Sequence, residues 1–150
     1  MGTAPILDAS DDSLARAAAL LKAGRLVALP TETVYGLAAD AANGQAVARI
    51  YEAKGRPSFN PLIAHVSGLD MARREAIFSP MAEALAEAFW PGPLTLVLPV
   101  AETGTVSALA RAGLDSLALR MPAHTAMQGV IGRLGRPLVA PSANTSGHVS

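Results

Sequence analysis

The segment 54–60, KGRPSFN, carries a lysine and an arginine two residues apart. In an extended stretch alternate side chains share a side, so Lys54 and Arg56 would point the same way. Pro57 restrains the backbone at Arg56 to that extended geometry. Two cations held close suit a polyphosphate, because the guanidinium offers a planar fork and the ammonium a compact point charge. The same residues also fit a solvated helix end, where Lys54 favours the helix dipole. Arg120, in the strand-like run SLALR, is more pointed. A charge on so apolar a strand is costly unless paired. Its partner could be Glu32, Asp115 or the carboxylate of a ligand. His65 lies in PLIAHV and, as a lone histidine on an apolar strand, reads first as a structural residue.

Two more clusters are rich in small donors and acceptors. Pro30-Thr31-Glu32-Thr33 interrupts an apolar run at the lip of a strand. The segment 140–147, APSANTSG, follows another strand. Ser, Asn and backbone N–H groups in such a turn can wrap phosphate or ribose oxygens, although a bland turn has the same composition. The chain has no GxxxxGK[ST], no GxGxxG and no G-x-S-x-G. The Walker loop, the dinucleotide fingerprint and the nucleophile elbow are therefore excluded.

Something must position these clusters. Residues 12–23 read as a helix with Leu14, Ala18 and Leu21 on one face and Gly24 as a stop, and 25–29 as a short buried strand. A helix over 44–53 has Asn43 as N-cap, Val47, Ile50 and Tyr51 on one side, and Gly55 closing it. Residues 61–66 form the next strand. Ser79-Pro80 opens a helix with Met81, Leu85 and Phe89 as its apolar face. Pro91-Gly92-Pro93 ends it, and 94–98 is strand-like. Residues 105–112 read as a short helix and 117–120 as a strand. Residues 125–134 form a helix with Met127, Val130, Ile131 and Leu134 in register, and 138–140 a last strand. Alternating helix and strand predict one α/β domain over 1–150 with a largely buried twisted sheet, its polar clusters at strand ends where such domains place ligands.

Composition narrows the function classes. The chain is 51% hydrophobic and 16% charged, with zero formal net charge and a pI near 6.8. It lacks a global basic footprint for nucleic acid. With no cysteine, disulfides and thiolate metal sites are excluded. His65, His124 and His148 lie too far apart for a metal motif. Asp8, Asp11 and Asp12 stand where a signal peptide would be basic, and no apolar run reaches the ~18 residues of a membrane span. A cytoplasmic protein without membrane association is the expectation.

Taken in order, PTETVYGLAADA, KGRPSFNPLIAHV, WPGPLTLVL, LALRMPAH and APSANTSG resemble the YrdC-like family, the threonylcarbamoyl-AMP synthases. The resemblance covers about residues 10–150. It implies a twisted mixed sheet with flanking helices around a large concave cavity. It further implies that L-threonine, bicarbonate (or CO2) and ATP with Mg²⁺ give threonylcarbamoyl-AMP and pyrophosphate. A separate transferase then moves the threonylcarbamoyl group to a tRNA adenosine next to the anticodon.

By the resemblance, Thr33, His65, Arg120 and Ala140 match threonine-site positions. Lys54, Arg56, Asn60, Ser116, Ser142 and Asn144 match the ATP site, and Ser150 falls near another nucleotide contact. Lys54 and Arg56 would stabilise charge on the departing pyrophosphate, and no metal ligand among the side chains is identified. No general base stands out, so catalysis is expected to rest on positioning and electrostatics. The family continues some tens of residues beyond SANTSG. That implies a fragment or a short form, and a sheet edge open to self-association. Other readings are an RNA-binding module with weak tRNA affinity, a part of a larger carbamoyl-transfer maturation enzyme, and a non-catalytic paralogue. The scarcity of aromatics (4%) weighs against base stacking, the Met1 start against a larger enzyme, and the intact KGR against a paralogue.

Overall fold

In a computed structural model the chain is described over residues 10–30, 35–55 and 60–141, with Tyr35 by its backbone alone. Helix α1 (Asp11–Lys22) begins where Ser10 Oγ accepts from the Ser13 amide at 3.2 Å, with Asp11 and Asp12 in the first turn and Lys22 in the last. Those charges complement the helix dipole. Leu14, Ala17, Ala18 and Leu21 are buried on one stripe. Strands β1 (Val27–Pro30) and β2 (Tyr35–Asp40) form an antiparallel hairpin. Helix α2 (Gly44–Lys54) is capped by Asn43 Oδ1, which accepts from the Ala46 amide at 3.1 Å, and closed by Gly55 in the left-handed region at φ 61°. Strand β3 (Ile63–His65), helices α3 (Leu69–Glu75) and α4 (Pro80–Phe89), strands β4 (Leu96–Pro99) and β5 (Ser116–Arg120), helix α5 (Thr125–Leu134) and strand β6 (Leu138–Val139) follow.

The six strands form one open mixed sheet in the order β1-β2-β6-β3-β5-β4. Only β3 and β5 run parallel; the other pairs are antiparallel. Helices α1 and α5 pack on each other and on β1, and α1 and α2 pack on β2. The edge strands β1 and β4 are each four residues long and end in proline. Short edges lacking a ladder donor discourage further pairing. Among the described residues no helix is long and apolar enough to cross a membrane.

The α/β expectation holds, and four local expectations are corrected. First, strict helix–strand alternation fails at the start, because residues 35–40 fold back as β2 on β1. Second, α3 was not foreseen. It has seven residues and no side-chain cap at Gly68, so it lacks the usual start signal. Third, 105–112 is a series of turns, with Ala112 at φ 54° and Gly113 at φ 73°. The amides of Ala110 to Ala112 bond back within the segment, whereas the first three turn outward. Thr105 N and Val106 N donate to the buried Glu75 carboxylate at 2.7 and 3.1 Å, and Ser107 N donates to Ala41 O at 2.8 Å. Fourth, α4 buries Ala82 and Ala86, whereas Met81 and Phe89 are 73% and 57% exposed. Leu85 is half-buried, so of the expected apolar face only its middle turns inward, beside Ala82 and Ala86.

The α1–α5 contact is tight at one glycine. A Cβ on Gly129 would lie 2.6 Å from Leu14 Cδ1, whereas one on Gly132, one turn along and exposed, meets nothing within 4 Å. Gly132→Ala should therefore stabilise the protein by about 0.5–1 kcal/mol through helix propensity. Gly129→Ala should fall short of that gain, because Leu14 must move. Urea midpoints check this, and equal gains at both positions would refute the close contact.

Candidate functional site

Strand β5 alternates cleanly. Leu117 and Leu119 are buried, while Ser116, Ala118 and Arg120 are only half-buried. The neighbouring strands extend this open face. Val97 on β4 pairs with Ala118 and is 65% exposed, and Ile63 on β3 pairs with Ala118 from the other side. In the next row His65, which is buried, lies level with Arg120, and Leu138 of β6 lies level with His65. β5 thus has one buried apolar face and one half-buried face that carries Arg120, and the row running from Arg120 through His65 to Leu138 closes over towards β6.

Arg120 donates from Nε and Nη2 to Thr95 Oγ1, at 3.0 and 2.7 Å. Among the described residues no carboxylate forms an ion pair with it. Asp115, one partner considered from the sequence, is exposed and engages Val100 N through its backbone carbonyl. Glu32, the other, lies outside the described residues. Thr95 is held by the turn before β4. Trp90 Nε1 donates to Leu94 O at 2.8 Å, Gly92 N donates to Met121 O at 2.9 Å, and the Trp90 ring meets Phe78 edge-on at 6.3 Å.

The remaining sequence-derived positions fall at defined places. Lys54, in the last turn of α2, is 3% exposed, so the solvated helix end weighed for it is corrected. Asn60 is exposed, and its carbonyl lies 2.8 Å from Tyr51 Oη, which also reaches Leu109 O at 3.2 Å. The phenol ties the end of the KGRPSFN segment both to α2 and to the 105–114 turns. Ser116 opens β5, and Ala140 is buried just past β6. Thr33, Arg56, Ser142, Asn144 and Ser150 lie outside the described residues, and with them the walls of the implied cavity.

Strand direction sorts these positions into two groups. Asn60 precedes β3, Ser116 begins β5, and the chain leaves antiparallel β6 towards Pro141, all at one end of the strands. His65 and Arg120 close β3 and β5 at the other end. Four strand steps separate Ser116 from Arg120, which is about 13 Å.

The family profile described as telomere recombination, Sua5/YciO/YrdC, matches residues 19–150. The chain belongs to the Sua5/YciO/YrdC family. It is 48% identical over 147 residues to the threonylcarbamoyl-AMP synthase of Bacillus subtilis, covering 96% of this chain and 42% of that protein. It is 52% identical over 135 residues to the threonylcarbamoyl-AMP synthase of Pyrococcus abyssi, covering 89% and 39% respectively. The crystal structure of P. abyssi Sua5 complexed with L-threonine superposes with a TM-score of 0.90 at 47% identity, over 97% of this chain and 44% of that one. The chain therefore spans about two fifths of the length of these relatives.

Within this Sua5/YciO/YrdC sheet, three features escaped sequence reasoning. Thr95 sits in a stretch read as strand, just before the observed start of β4 at Leu96, and its hydroxyl gave no signal of an arginine partner far along the chain. Asp40 is 2% exposed and takes a double fork from Arg136, with Nε at 2.9 and 3.0 Å and Nη2 on Oδ2. It also accepts from Ala42 N at 3.0 Å. The hydrogen bonds from Arg136 to Asp40 push the guanidinium pKa above the ordinary arginine value. Glu75, equally buried, accepts from two amides and from Thr105 Oγ1 at 2.7 Å. All three pairings are long-range, and a single sequence carries no local mark of them. Among the described residues no cluster of His, Asp and Glu is suited to hold a metal ion.

Proposed function

We propose that the protein makes threonylcarbamoyl-AMP and pyrophosphate from L-threonine, bicarbonate or CO2, and ATP. The product would serve a transferase acting on tRNA adenosine. One observation carries this reading: Arg120 lies half-buried on β5, held by the neutral hydroxyl of Thr95, and among the described residues no carboxylate pairs with it. A buried-side cation without an anionic partner is costly, and an amino-acid carboxylate would supply that partner bidentately. The names of the curated relatives and the threonine complex of a close structural neighbour support the same reading.

On this reading the threonine carboxylate docks on Arg120 beside His65, Thr33 belongs to the same site, and Ala140, past β6, lies towards the Ser116 end and would line the far side of the amino acid. The neutral amine forms a bond to the carbon of CO2 and loses a proton, giving a carbamate. Where bicarbonate is the source, one water leaves. A carbamate oxygen then bonds to the α-phosphorus of ATP, and the bond from that phosphorus to the bridging oxygen of pyrophosphate breaks. Lys54 and Arg56 neutralise the leaving phosphates, and Asn60, Ser116, Ser142, Asn144 and Ser150 hold the nucleotide. Magnesium enters as the counter-ion of ATP. The site needs no dedicated base if binding supplies orientation.

The test is to mix the protein with ATP, Mg²⁺, L-threonine and bicarbonate and to look by mass spectrometry for threonylcarbamoyl-AMP. Product that depends on all three substrates is the expected outcome. Steep salt-dependent tRNA binding with no product would replace this reading with the RNA-binding one.

A further inference from the structure

We propose that Thr95 is a positioning residue that fixes which edge of the Arg120 guanidinium is offered to a ligand. This rests on the proposed threonine site.

A guanidinium presents two bidentate edges: a side edge formed by Nε and one terminal nitrogen, and an end edge formed by Nη1 and Nη2. Thr95 Oγ1 spans the side edge, at 3.0 Å from Nε and 2.7 Å from Nη2. The end edge is left for the carboxylate. The choice of a hydroxyl matters. Ionised partners make stronger hydrogen bonds than neutral ones, but a carboxylate here would cancel the charge the ligand needs. A hydroxyl orients the fork and leaves its charge intact.

The surroundings hold Thr95 at both sides. Gly92 N bonds to Met121 O, the residue directly after Arg120, so the turn is tied to β5 next to the arginine it serves. A Cβ on Gly92 would come within 2.7 Å of Phe89 O, so the turn admits no side chain there. The indole of Trp90 then fixes the carbonyl of Leu94, the residue before Thr95.

Three variants test this by calorimetric titration of L-threonine into the chain, with thermal melts as a check on folding. Thr95→Val keeps the shape and loses the acceptor. It should weaken threonine binding about 10- to 50-fold, the range for losing charged hydrogen bonds. ATP binding should stay unchanged. Thr95→Ser should restore threonine binding to near wild type. Thr95→Asp should stay folded yet weaken threonine binding by more than about 100-fold, because its carboxylate occupies the guanidinium. A purely structural role for Thr95 would instead lower all melting temperatures and shift both ligands together, which overturns the proposal. Wild-type affinity in the Val and Asp variants overturns it as well. Failure of the wild-type chain to bind threonine overturns the site reading itself, and this proposal with it.

Discussion

Arg120→Ala should cut kcat/KM for L-threonine by about 100- to 1000-fold, the loss expected when two charge-assisted hydrogen bonds to a substrate disappear. The KM for ATP should change little, because Arg120 lies at the opposite end of β5 from Ser116. The fold should survive. Removing one partner of a buried ion pair leaves an uncompensated charge, but Arg120 has no such partner among the described residues and only Thr95 loses its contact. Arg120→Lys should recover part of the activity at most, since a point charge cannot reproduce the fork. Steady-state kinetics with threonine varied at saturating ATP decides it. An alanine variant with wild-type threonine dependence would remove Arg120 from the site.

Asp40→Ala should be the most damaging single change to stability outside the apolar core, at about 3 kcal/mol. Breaking a buried pair costs about 3–5 kcal/mol, and the lower figure applies because the Arg136 side chain is 36% exposed and can regain water. The loss includes the acceptor for Ala42 N, which shapes the entry to α2. Asp40→Asn keeps an acceptor for that amide and should cost less. For a chain of this size, 3 kcal/mol corresponds to a fall in Tm of roughly 6–12 °C. The urea midpoint should drop with an unchanged slope, the signature of altered stability alone. A midpoint equal to wild type would show that the clip between β2 and the start of β6 carries no net stability.

Sequence reading was strong where a single element advertises itself. The caps of α2 and α4, the acidic first turn of α1 and the glycine closures of α2 and α5 follow local rules, and Leu14 to Leu21 and Met127 to Leu134 keep helical period. It failed where one element depends on another. Met81 and Phe89 looked like a buried stripe because they are large, yet the helix turns Ala82 and Ala86 inward and leaves those two exposed. The turns at 105–112 depend on Glu75, some thirty residues away, and on Tyr51. The order of the strands is a long-range fact of the same kind. Charge on an apolar strand marked Arg120 as needing a partner, without saying which. Thr95 was not marked, because a threonine in a strand is unremarkable until its neighbour is known.

The four steps of β5 between Ser116 and Arg120 carry one more consequence. On the proposed reading, the adenylate end and the amino-acid end of the product are gripped from the two ends of a single rigid strand. Their separation is then set by a count of residues, not by a loop that could yield. The strand fixes the spacing of the two backbone anchors, and the hold of Thr95 on Arg120 limits what side-chain rotation can add to it. Strand length changes in pleats, because a one-residue shift turns every side chain to the other face and a two-residue shift moves the ends apart by about 6.6 Å. On that reading the distance between the two anchors changes only in whole steps of the main chain, which would make this stretch a ruler between two adjustable grips.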